Sequence, residues 1–113
     1  MVSNKIVKAD PSQYVKVIDG VTRRSVVYGE KTLLCEFKLE KGAVIPMHTH
    51  PHEQTGFLVS GKILFTVDGK EYQMNPGDSW CVLGDVEHKV EVLEDSFLVE
   101  VFSPVREEFI AKD

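Results

Sequence analysis

From Gln13 onward, apolar and β-branched residues fall into short runs broken by glycine-containing pairs, the pattern of strands joined by tight turns. Tyr14 to Ile18 and Val21 to Tyr28 flank Asp19-Gly20, and Lys62 to Val67 and Lys70 to Met74 flank Asp68-Gly69. Asp-Gly supplies the positive φ angles of a two-residue turn, so both pairs are predicted hairpins. Further strands are expected at Lys31 to Leu39, Ala43 to His48, Gln54 to Ser60, Ser79 to Leu83, Val86 to Leu93 and Phe97 to Phe102. Breaks are expected at Lys41-Gly42, Ser60-Gly61, Asn75-Pro76-Gly77-Asp78, Gly84-Asp85 and Glu94-Asp95. Roughly nine or ten strands at this even spacing predict an all-β fold, a sandwich or jelly-roll barrel. Ile63 to Val67 and Phe97 to Phe102 are apolar on both faces, so each needs a barrel interior on one side and other strands or a second subunit on the other. The one helical signal is C-terminal: Ser103 can cap, Pro104 suits the first helical position, and Arg106 to Lys112 has the composition of a short helix.

Composition narrows this picture. A chain of 113 residues, 42% hydrophobic and 27% charged, has the balance of an ordinary globular protein and room for one core, so residues 1–113 are read as a single domain. A formal charge of −5 leaves no basic surface for nucleic acid, and the densest basic cluster is Arg23-Arg24. No run reaches the length of a membrane span and the start has no signal-peptide pattern, so cytoplasmic residence and no membrane partner are expected. Cys35 and Cys81 each sit mid-strand between apolar neighbours and are read as reduced, small buried hydrophobes.

Chemistry concentrates in Met47-His48-Thr49-His50-Pro51-His52-Glu53-Gln54. Side chains alternate faces along a strand, so His48 and His50 point the same way, as two ligands of one ion must. An isolated His-x-His is more readily a polar loop face. His88 lies in Val86 to Val92, where the other even positions are valine and the odd ones are charged, so it projects towards the core. On its own it reads rather as a core histidine satisfied by backbone groups.

Together these residues resemble the cupin superfamily. Gly42, His48, His50, Gln54 and Gly61 stand at the places of its first motif, with glutamine where the family has glutamate. Gly77 and His88 match the second, in which Leu83, Asp85 and Val92 replace a proline, a glycine and an asparagine. The resemblance implies a double-stranded β-helix in which His48, His50, Gln54 and His88 converge on one divalent transition metal (Mn, Fe, Ni or Zn). Three imidazoles and an amide would leave the ion's charge uncompensated and coordination positions open, which favours an anionic substrate. His52 and Glu53 are second choices as ligands, more naturally placed at the rim.

A second constellation lies in Phe97 to Phe102, where Glu100 interrupts an apolar strand. Such a charge is either solvated at a sheet edge or buried for use. Glu100, Phe102 and Arg106 are spaced like the acidic residue, phenylalanine and arginine of small cupins that act in pectin degradation on unsaturated uronic acid monomers. Those cupins carry aspartate where this chain has Glu100. The resemblance implies a metal-dependent enzyme opening a 4,5-unsaturated uronate to its linear keto form, with Glu100 handling a proton, Arg106 holding a carboxylate and Phe102 giving a flat apolar contact. The rival readings are a cupin dioxygenase using iron or manganese with oxygen, and a non-catalytic metal- or sugar-binding module. Strands apolar on both faces also predict a homodimer, paired through the N-terminal strands between Ile6 and Tyr28.

Overall fold

Both predicted hairpins form, because glycine takes the left-handed backbone each turn requires. Gly20 has φ 77°, and Asp68 and Gly69 have φ 50° and 79°. A computed structural model describes residues 3–110, and within them eight strands follow one another. They are β1 (Val15–Ile18), β2 (Val21–Tyr28), β3 (Leu33–Leu39), β4 (Val44–His48), β5 (Glu53–Val67), β6 (Lys70–Met74), β7 (Ser79–Val82) and β8 (His88–Ser103). Every pairing is antiparallel, in the order β1-β2-β3-β8-β5-β6, with β4 on β8 and β7 on β5.

The predicted breaks at Ser60-Gly61 and Glu94-Asp95 are bends inside two long strands rather than turns. β5 and β8 stay paired from Glu53↔Ser103 to Val67↔His88, and the register shifts only between Leu58 and Ile63. At the bend Gly61 has φ 95°, and Ser96 Oγ accepts from Lys62 N at 3.0 Å while donating to Glu94 O at 2.7 Å. These bonds carry the ladder through a bulge, so the chain bends without leaving the sheet. The β5–β8 ribbon thereby enters two layers. One half, Glu53 to Ser60 with Phe97 to Ser103, is flanked by β3 and β7; the other, Lys62 to Val67 with His88 to Glu94, is flanked by β4 and β6. Leu33, Phe37, Leu58, Ile63, Phe65, Val90, Val92 and Leu98 fill the space between the layers.

Two expectations are corrected. The C-terminal helix is a single 3₁₀ turn, Glu107–Phe109, with Ser103 ending β8 instead of capping; Ala111 and Lys112 lie outside the described residues. Tertiary packing outweighs helix propensity here. The Phe109 ring lies edge-on to Phe102 at 5.5 Å and Phe37 at 6.5 Å, and its carbonyl accepts from Ser25 Oγ. Cys81 is exposed, because on β7 it is Val82 that faces inward, whereas Cys35 is fully buried; both are free thiols. Of the Arg23-Arg24 pair, Arg24 is buried, donating to Lys8 O at 2.6 Å and lying 3.5 Å from Glu36. No helix among the described residues is long and apolar enough to cross a membrane.

Candidate functional site

β4 ends at His48, which pairs across the ladder with His88, the first residue of β8. His50 follows in the loop, which is anchored where its carbonyl accepts from Asp85 N at 2.8 Å. One ring nitrogen from each of His48, His50 and His88 lies within 4.8 Å of the others. His48 and His50 therefore converge, although His50 has already left the strand that alternation assumed.

The tautomers follow from the backbone. Nδ1 of His48 lies 2.8 Å from Pro46 O, that of His50 2.9 Å from His52 O, and that of His88 2.8 Å from Val86 O. A carbonyl only accepts, so each Nδ1 carries the proton and each Nε2 presents a lone pair. Nε2 of His50 and of His88 are buried with no partner among the described residues. Burial pushes the His88 imidazole down to about 4 and lowers that of His50, keeping both neutral. Unpaired lone pairs on neutral, oriented imidazoles fit a divalent metal, and the backbone carbonyls supply the orientation.

Gln54, near the start of β5, is buried beside this cluster. Its Nε2 donates to Glu100 Oε2 at 2.5 Å. Glu100, expected either at a solvated edge or in the interior, is in the interior. Burial pushes its carboxyl up to about 7, against opposing hydrogen bonds from Trp80 and Gln54 and the charge of Arg106. His48, Gln54, His88, Glu100, Phe102 and Arg106 line one cavity of about 270 Å³, whose remaining wall is mostly apolar.

Arg106 reaches this cavity from the segment after β8. Its guanidinium lies 3.9 Å from the Phe109 ring centre and 5.0 Å from that of Phe102, and Nη2 donates to Glu108 Oε2 at 3.2 Å. Its Nε is buried without a partner among the described residues, so donor capacity remains for an anion. His52 and Glu53 stand outside the three-histidine group whose ring nitrogens lie within 4.8 Å of one another, and Glu53 is exposed.

Sequence reasoning missed Trp80, whose Nε1 donates to Glu100 Oε2 at 2.8 Å. Two signals pointed to it. Alternation in Ser79-Trp80-Cys81-Val82 turns Trp80 inward with Val82, and a buried indole needs an acceptor. Gly56, inside a strand, marks a close approach. It pairs with both Trp80 and Glu100, and a Cβ there would overlap the indole.

An antiparallel β-barrel with three histidines converging at its interior cavity defines a cupin. The family model for the cupin domain matches residues 35–103, and the chain belongs to that family. Among named relatives, the pectin degradation protein KdgF of Dickeya dadantii (strain 3937) is 25% identical over 103 residues, which is 89% of this chain and 94% of that protein. The structure of KdgF from Halomonas sp. superposes with a TM-score of 0.89 at 25% identity, covering 96% of this chain and all of that one (100%). An RmlC-like cupin from Shewanella frigidimarina gives a TM-score of 0.89 at 26% identity, over 96% of this chain and 98% of that one.

Proposed function

We propose that this cupin holds one divalent transition metal through His48, His50, His88 and Gln54 and opens a 4,5-unsaturated uronate to its linear keto acid. The observation that carries the reading is that Glu100 and Arg106 line the same cavity as His48 and His88 of the three-histidine group. The similarity to KdgF, a pectin degradation protein, supports the substrate class.

When bound, the metal supplies Lewis acidity and a net positive charge that the three imidazoles and the amide leave unbalanced. Arg106 anchors the substrate carboxylate with the donors not spent on Glu108. Phe102, beneath that guanidinium, gives the ring a flat apolar contact. Glu100 carries the proton at carbon, which requires reach first and a suitable pKa second. One water is added across the enol ether: C4 gains a proton and C5 gains hydroxyl; the hemiketal so formed opens as the C5 hydroxyl proton passes to the ring oxygen and the bond from C5 to that oxygen breaks, leaving a C5 ketone and a hydrated C1 aldehyde that sheds the water. Atoms and electrons balance without a redox partner.

The test is turnover of a 4,5-unsaturated uronate by metal-loaded protein with dissolved oxygen monitored. Glu100→Gln should lower kcat by about 10²- to 10⁴-fold, the usual worth of a positioned proton carrier, with metal retained. Arg106→Ala should raise KM. Oxygen uptake coupled to turnover would instead favour a dioxygenase, and binding without turnover a non-catalytic module. We further propose that the chain works as a homodimer in the cytoplasm, where its free thiols fit a reducing compartment.

A further inference from the structure

We propose that Trp80 is a positioning residue: its indole N–H pins one oxygen of Glu100, so that the other alone is offered to substrate. The proposal rests on the reading of Glu100 as the proton carrier and adds the group that aims it.

Glu100 Oε2 accepts from Trp80 Nε1 at 2.8 Å and from Gln54 Nε2 at 2.5 Å. An indole nitrogen is a donor in every state, so this contact cannot reverse when the carboxyl gains a proton. A proton arriving at Oε2 would have to displace a hydrogen bond. Oε1 receives none from the described residues and belongs to a side chain that lines the cavity, so proton exchange falls to it.

The indole is itself held. Trp80, Gly56 and Glu100 stand in one row across β7, β5 and β8, and the missing side chain at Gly56 lets the indole lie over β5 to reach the carboxylate. Phe65 meets it edge-on at 5.3 Å and 86°. A tryptophan needed only for bulk would not require a glycine beneath its nitrogen or an acceptor at its end.

Trp80→Phe keeps a buried ring and removes the N–H. With metal content unchanged, it should lower kcat by about 10- to 100-fold, the scale of a misplacement of about an ångström, and leave KM within about two-fold. In the Glu100→Gln background it should cause no further fall, because it acts only through Glu100. A second readout needs neither substrate nor metal. Trp80 is the sole tryptophan, so a ¹⁵N spectrum holds one indole resonance. Bonded to a carboxylate it should lie downfield and move upfield in Glu100→Gln. Wild-type kcat in Trp80→Phe, an equal loss in the Glu100→Gln background, or an unmoved indole resonance would each overturn the positioning role while leaving the proton-carrier reading standing. Wild-type activity in Glu100→Gln would overturn that reading, and the positioning role with it.

Discussion

His88 is the residue on which the proposed metal centre most depends, since it is fully inside and joins β8 to the His48 end of β4. His88→Ala should weaken binding of zinc or nickel by more than about 100-fold, because even the partners of a metal ligand account for about 10- to 100-fold. Titration calorimetry measures this, with His52→Ala as the variant expected to bind unchanged. Much of the site was legible in the residues: His-x-His spacing gave His48 and His50, and valines at alternate positions turned His88 inward. The Trp80 to Glu100 bond was not, because it depends on the register of three strands at once. Cys81 misled for a related reason. Apolar neighbours in sequence do not say which face of a strand is covered.

The bend in the β5–β8 ribbon makes a sharp demand on one position. At Gly61 φ is 95°, and a Cβ would press on Ser96 and the Asp95 carbonyl. Gly61→Ala should therefore destabilise the fold by about 1–3 kcal/mol, read as a lower urea midpoint at unchanged slope. The same bend explains the count of strands. Gly61 and Asp95 carry turn chemistry, and sequence cannot distinguish a bulge that keeps its ladder from a turn that leaves it. Both Asp-Gly hairpins were legible because two residues suffice to specify them. The C-terminal helix was not, since the fate of Phe109 is decided by Phe37 and Phe102, residues far away in sequence.

For the whole molecule, the outermost strand β1 presents an edge unpaired among the described residues and exposes Val15 (52%) and Val17 (43%), next to an N-terminal segment exposing Ile6 (89%). Apolar side chains along an open edge invite a second copy. Light scattering at micromolar concentration should give twice the chain mass of 12.7 kDa, and Val17→Lys should halve it. The bent ribbon has a further consequence, one of timing. His88 lies opposite Val67 and Gln54 opposite Phe102, so the proposed ligands sit at opposite ends of the longest pairing in the fold. They meet only after β5 and β8 have zipped and folded over. His48 and His50, two residues apart, can chelate weakly in the unfolded chain, but the full proposed set exists only in the closed barrel, so a bound metal should act chiefly as a latch, slowing escape from the native state more than it hastens arrival.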